Sequence, residues 1–357
     1  MAPYVIAEAG SNHNGSADRA IALVDLAKRA GADSIKFQFI FADGLYLPAY
    51  FDGEDYVENS VYHARKAEEL PRWEWERVWA HAHSQGIDVS ASVFDIRGVE
   101  LLTHLGASYV KIASTDITNH ELIGMACESF GRVILSTGMA SLAEIDCAYQ
   151  FVRQQFPSVT LELMHCVSAY PCPLQEANVR RVELLSRSFN CPIGYSDHTE
   201  GVISAAMAMV KGATFFEKHF TVDQALPGFD HATALTEQQL GDYVATLHDC
   251  DLGLSEDANQ SSDSEKITKI RARRGVYAAR DLPAGHAIRR EDLLFVRPST
   301  SYTPRNPSDL VGTILAEPIS QYEPLAPSAT GAARGASNWK SAQGYWRSEM
   351  QAKGMKF

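Results

Sequence analysis

Short runs with strand character alternate along the chain with longer stretches of helical periodicity. Strand candidates are Tyr4–Ala9, Asp33–Phe39, Ile87–Ala91, Ser108–Ile112, Val133–Ser136, Thr160–Met164, Ile193–Tyr195 and Thr214–Glu217. Helical patterns between them occupy Ala17–Ala30, Arg72–Ser84, Leu142–Arg153 and Val202–Val210. Eight strands, each followed by a helix or a helix-sized connector, predict an α/β fold of the closed (β/α)8 TIM-barrel type. An open, doubly wound sheet is the rival, but it usually has fewer strands and no reason to stop at eight.

A last helix near Glu237–Leu252 ends this alternation, and the composition then changes. Residues 255–264 are polar and acidic, with almost no large apolar side chain, as a linker should be. Beyond them, Arg271 to Thr330 carries short β-like runs and Gly/Pro turns, including Asp281-Leu-Pro-Ala-Gly-His286, which predicts a small, mostly β domain. The expected organisation is a barrel over 1–254, a linker over 255–270, the small domain over 271–330 and a flexible tail over 331–357. A length of 357 residues suits this division, because single cores rarely grow beyond roughly 250–300 residues.

Alternation inside the strands separates core from chemistry. In Ser34-Ile-Lys-Phe-Gln-Phe39 the apolar residues must face outward to the helices, so Lys36 and Gln38 point into the barrel. The same parity turns Ile6, Glu8, Glu217 and His219 inward, and Lys111 and Ser136 hold similar end-of-strand positions. Active sites of this fold lie at that mouth. A lone inward Lys or Glu is as readily half of a structural ion pair. Several at one end are harder to explain so, because an unpartnered buried charge costs several kcal/mol. Two lysines with several serines make a cradle for a phosphate and a carboxylate.

His198 and His219 lie one βα repeat apart, so adjacent strands bring them to the same rim. Two neutral imidazoles can hold a divalent cation, with water or substrate completing its shell. Such a site suits Mn²⁺, with Mg²⁺ or Co²⁺ as alternatives, better than a closed structural zinc. Asn12 and His13, in Asn12-His-Asn-Gly15, are either catalytic or the geometry of a turn. Cys166 reads as a buried thiol, because no base stands beside it in the sequence.

Charge and composition narrow the partners. A net charge of −12 argues against nucleic acid, which requires a basic face, but a few focused lysines can still hold a small anion. No apolar stretch approaches the roughly 20 residues a bilayer needs, which predicts no membrane span. Six cysteines without paired spacing suggest free thiols and a cytoplasmic location.

Seven ordered blocks resemble the N-acetylneuraminate (sialic acid) synthases, a pattern shared by the pseudaminic and legionaminic acid synthases. They are Ile6-Ala-Glu-Ala-Gly-Ser-Asn-His-Asn-Gly15, Ile35-Lys-Phe-Gln38, Lys111-Ile-Ala-Ser114, Leu135-Ser-Thr-Gly-Met139, His165-Cys-Val-Ser-Ala-Tyr-Pro171, Tyr195-Ser-Asp-His-Thr199 and Phe216-Glu-Lys-His-Phe-Thr221. The small domain resembles the antifreeze-like (SAF) domain these synthases carry. The resemblance implies condensation of phosphoenolpyruvate with an N-acetylmannosamine-like aldehyde sugar to a 2-keto-3-deoxy sugar acid, with release of phosphate. It implies phosphoenolpyruvate bound through Lys36, Ser92, Lys111, Ser114, Ser136, Ser168 and Ser196, and a metal on His198 and His219. Gln38, Asp116, Tyr170 and Asp230 match sugar-side positions. A domain-swapped homodimer is implied, with Arg297 of one chain reaching the sugar in the other chain's barrel. Glu8 is the candidate for proton transfer or for orienting the water.

Departures from the family pattern gather on the sugar side. Thr115 replaces a common Gly, Phe39 a common Thr, and Ser299-Thr-Ser-Tyr302 a Pro-Gly-x-Gly turn; Ala42–Glu69 is unusually rich in Tyr, Asp and Glu. Lost glycines remove backbone freedom and close approach to a ligand. The expectation is a kept phosphoenolpyruvate half and an acceptor other than N-acetylmannosamine. A synthase or aldolase using a non-hexosamine aldehyde, and a non-catalytic sugar-binding descendant, stay open as alternatives.

Overall fold

The computed structural model describes residues 2–254, 261–305 and 307–326. The described residues divide into two compact units, one running up to 254 and the other starting at 261.

In the first unit eight parallel strands close into a barrel. They are β1 (Tyr4–Gly10), β2 (Ser34–Phe39), β5 (Asp88–Val93), β6 (Val110–Ile112), β7 (Arg132–Ser136), β8 (Thr160–Cys166), β9 (Ile193–Asp197) and β10 (Phe215–His219). The hydrogen-bonded order β1-β10-β9-β8-β7-β6-β5-β2 follows the chain around the ring, except that β3 (Ala49–Asp52) and β4 (Asp55–Glu58) form a separate hairpin after β2. The helices are α1 (Ala17–Arg29), α2 (Ala42–Leu45), α3 (Ser60–Ala67), α4 (Arg72–Gln85), α5 (Ile96–His104), α6 (His120–Ser129), α7 (Leu142–Gln155), α8 (Arg180–Ser188), α9 (Ile203–Val210) and α10 (Glu237–Gly253).

Periodicity explains the outer layer. Helix α1 starts where the Ser16 side chain accepts from the Arg19 N–H, and buries Ala20, Leu23, Val24 and Ala27 at helical spacing. Helix α4 buries Trp75, Val78, Trp79 and Ala82 in the same way. Phe39 joins this layer: its ring lies 4.8 Å from Trp75 and 5.5 Å from Trp79. Its place in the family pattern therefore reflects packing between strand and helix, which corrects its reading as a change at the sugar. Inside the barrel, Ile6, Tyr109, Ile134, Met164 and Phe215 form an apolar floor. Polar side chains one layer higher on the same strands stand on that floor.

In the second unit β11 (Gly275–Ala278) pairs antiparallel with β12 (Leu293–Val296) over a core including Val276, Leu282, Ile288, Leu310 and Leu325. Helix α11 (Asp263–Ala272) precedes them. It occupies part of the segment expected to be a linker over 255–270. Ser262 and Glu265 close a capping box at its start, yet the helix buries no residue, so its sequence is as polar as a linker's. The linker's first residues, 255–260, and the expected tail over 331–357 lie outside the described residues. Among the described residues no helix is long and apolar enough to cross a membrane.

Candidate active site

Glu217, inward on β10, is the centre of a buried charge cluster. Its Oε1 lies 2.5 Å from Lys111 Nζ and accepts from Ser196 Oγ at 2.8 Å, while its Oε2 lies 3.5 Å from Lys36 Nζ. Lys36 also pairs with Glu8 and donates to Ser92 Oγ at 2.8 Å, and Gln38 Nε2 donates to Glu8 Oε1 at 2.9 Å. Register produces this convergence: Glu8 stands beside Lys36 and His219, and Glu217 beside Ser196. Burial opposes charge on both carboxylates, with different outcomes. Lys111, Lys36 and the hydrogen bonds overcome it at Glu217, which is held well below the usual carboxylate range. At Glu8 burial prevails over Lys36, and the carboxyl is pushed up. Two cations and two carboxylates thus share one water-poor layer.

Hydroxyls complete the far side. Ser114 Oγ accepts the Gly138 N–H at 2.9 Å and lies 3.1 Å from Cys166 Sγ, which is 3.4 Å from Ser136 Oγ. A Cβ on Gly138 would stand 2.7 Å from Cys166 Sγ, 2.7 Å from Ser168 Oγ and 2.8 Å from Ser114 Oγ. Three small polar groups therefore converge on one backbone point that only glycine can occupy.

At the rim the His198 and His219 rings lie 5.6 Å apart, with the Tyr170 ring 4.2 Å from His198. His198 Nδ1 lies 2.6 Å from the Val167 carbonyl, so Nδ1 carries the proton and Nε2 keeps a lone pair. Burial, then His219, lowers the His198 pKa to about 3, leaving a neutral imidazole. His219 Nδ1 is buried without a hydrogen-bond partner, 3.8 Å from Asp230 Oδ2. Two imidazoles facing each other, one with an orphaned ring nitrogen, suit a divalent cation with only two protein ligands. Among the described residues no group of three His, Cys, Asp or Glu is arranged as a closed cage. The His198 loop is braced from outside the barrel. Asp197 Oδ1 accepts the Thr199 N–H at 2.9 Å, and Lys218 pairs with Asp197 at 3.1 Å and donates to the Thr199 carbonyl.

One cavity of about 300 Å³ collects these groups: Glu8, Lys36, Gln38, Ser92, Lys111, Ser114, Ser136, Ser168, Tyr170, Ser196, His198 and His219 all line it. Asp230 stands just behind His219. Asp116 is not brought in: its carboxylate accepts from Thr115 Oγ1 at 2.8 Å, and Thr115 lines the cavity instead. Arg297 follows β12 in the second unit. His13 and Asn12 are structural. The His13 ring stands edge-on to Trp75 at 5.2 Å and accepts the Gly15 N–H, and Asn12 donates to the Phe220 carbonyl. Phe94 and Met139 also line the cavity, and sequence reasoning missed them because apolar residues after strands carry no signal of their own.

Residues 23–258 match the NeuB family model and residues 273–329 the SAF domain. The chain is 35% identical to N,N'-diacetyllegionaminic acid synthase of Legionella pneumophila, across 90% of this chain and 92% of that protein. It is 29% identical to pseudaminic acid synthase of Campylobacter jejuni, across 87% and 91%. The solved N-acetylneuraminic acid (sialic acid) synthetase of Leptospira borgpetersenii, in complex with citrate, matches with a TM-score of 0.68 and 30% identity over 75% of this chain and 90% of that one.

Proposed function

This chain belongs to the NeuB family, and from that membership and the cavity's chemistry we propose that it condenses phosphoenolpyruvate with the open-chain aldehyde of an N-acetylmannosamine-like sugar. The products are a 2-keto-3-deoxy sugar acid and inorganic phosphate. The observation that supports this reading is the meeting of Lys36, Lys111 and an arc of serine hydroxyls with His198 and His219 in one cavity.

The roles follow from placement. Lys36 and Lys111, with Ser92, Ser114, Ser136, Ser168 and Ser196, hold phosphate and carboxylate, so that binding is mostly positioning and electrostatics. C3 of phosphoenolpyruvate attacks the aldehyde carbon, water adds at C2, and the tetrahedral intermediate collapses with loss of phosphate. Glu8, its pKa raised by burial, is suited to take or return a proton at this water. Gln38, which donates to Glu8, fixes that carboxyl's direction. A divalent cation held by His198 and His219, with Mn²⁺ the first choice, would polarise the aldehyde oxygen as a Lewis acid. Tyr170 and Asp230 border the acceptor there. The same proposal includes a cytoplasmic enzyme fed by phosphoenolpyruvate, and a domain-swapped homodimer with Arg297 supplied from the second chain.

The altered residues at the sugar side, Thr115 foremost, favour an acceptor other than N-acetylmannosamine itself. The test is phosphate release from phosphoenolpyruvate with and without Mn²⁺. The acceptor panel is N-acetylmannosamine, its 6-phosphate, 2,4-diacetamido-trideoxyhexoses and plain aldoses. Release that needs metal and one amido sugar is expected. Release with plain aldoses alone would move the function to a non-hexosamine synthase.

A further inference from the structure

Arg65 has no part in the chemistry above, yet it is one of the most buried cations of the barrel unit, 9% exposed. It sits on α3, in the segment inserted after β2. Its Nη1 donates to Ser11 Oγ at 2.6 Å and to Glu68 Oε2 at 3.2 Å, and its guanidinium lies 3.7 Å over the Phe229 ring. Its Nε has no hydrogen-bond partner. One side chain therefore joins three segments: the insertion, the turn after β1, and the loop after β10.

Two of these segments, the turn after β1 and the loop after β10, border the acceptor side. Phe229 immediately precedes Asp230, whose Oδ2 faces His219. Ser11 follows Gly10, and a Cβ on Gly10 would meet Asp230 Oδ2 at 2.9 Å, Glu8 Oε1 at 3.5 Å and Gln38 Nε2 at 3.6 Å. A second tie runs in parallel. Asn14 Nδ2 donates to the Pro227 carbonyl at 2.7 Å, and its Oδ1 lies 3.1 Å from His231 Nε2. That tie grips both ends of the loop, at Pro227 and His231, and leaves its middle to Arg65. Burying an arginine is expensive, and a planar guanidinium that bonds along its edge while stacking on its face is not interchangeable with lysine.

We propose that Arg65 is a positioning residue for the acceptor: by clamping Phe229 against the turn after β1, it fixes Asp230 beside His219 and builds the acceptor wall of the site. The assignment rests on the proposed function for its substrate, but not for its geometry.

The test uses full-length R65M, R65K and F229L with two readouts. The first is hydrogen exchange of the 222–234 segment in the enzyme without substrate. R65M and F229L should exchange there about tenfold faster than wild type, with the β9 segment unchanged. The second is steady-state kinetics with the acceptor that the panel identifies. KM for that acceptor should rise about tenfold in R65M, less in R65K, with KM for phosphoenolpyruvate within about twofold. Unchanged exchange in the 222–234 segment, or both KM values rising together, would overturn the proposal. If R65M fails to fold, F229L carries the same two tests. A wild-type enzyme silent with every acceptor would remove the proposed function, while the exchange result would still decide the role of Arg65.

Discussion

Glu217 shows how a single residue can set the state of a whole site. Its two oxygens engage Lys111, Lys36 and Ser196, so one carboxylate balances charge for both lysines, with Glu8 sharing Lys36. Under the proposed function the substrate's phosphate and carboxylate would meet the same two lysines, so substituting either lysine tests that role. Lys111→Met leaves Glu217 with Lys36 and Ser196 and removes one cation from the cradle. We expect kcat/KM for phosphoenolpyruvate to fall by about 100-fold or more, checked by steady-state phosphate release. A fall confined to acceptor KM would put Lys111 on the other substrate.

At the scale of elements, the small unit is organised around Asp292. Its Oδ1 accepts from Arg280 at 2.6 Å, and its Oδ2 accepts from the Arg289 N–H at 2.8 Å and lies 2.7 Å from His286 Nε2. Burial opposes the charge, but His286, the Arg289 amide and Arg280 hold the pKa down to about 2, from an ordinary 3.8. Because the folded value is the depressed one, the stabilisation is full above about pH 4 and is lost as pH falls through 2. Asp292→Asn should cost the small unit about 2 kcal/mol at neutral pH, read as faster limited proteolysis within 275–325, and should flatten that acid dependence. Proteolysis unchanged at neutral pH would contradict it. The barrel strands were legible from alternation because each buries one face on the floor and the other on helices. The same parity placed Lys36, Gln38, Glu8, Glu217 and His219 inward. Two elements were not legible. Helix α11 buries nothing, so only its cap distinguishes it from a linker. The β3–β4 hairpin is almost wholly exposed, with Phe51 and Tyr56 meeting edge to face rather than packing on a core, so it leaves no burial pattern to read. Asp116 and Thr115 are neighbours in sequence; in the structure Thr115 Oγ1 donates to the Asp116 carboxylate and Thr115 lines the cavity. Arg65 and Phe229 lie far apart in sequence, and nothing in either segment announces their pairing.

For the whole molecule, a net charge of −12 and an anionic substrate are reconciled by concentration of charge. Lys36 and Lys111, proposed to meet phosphoenolpyruvate, stand together above an apolar floor, where low polarity strengthens their pull. A second unit of the SAF type follows the barrel, over residues 273–329. At the core of the proposed reaction is a carbon–carbon bond made at the expense of phosphoenolpyruvate. Its most direct measurement is the stoichiometry of one reaction mixture with Mn²⁺, followed by phosphorus NMR and product mass. One inorganic phosphate is expected for each 2-keto-3-deoxy sugar acid formed, with water oxygen retained at C2. The same sugar acid made from pyruvate, with no phosphate released, would contradict it and make the enzyme an aldolase.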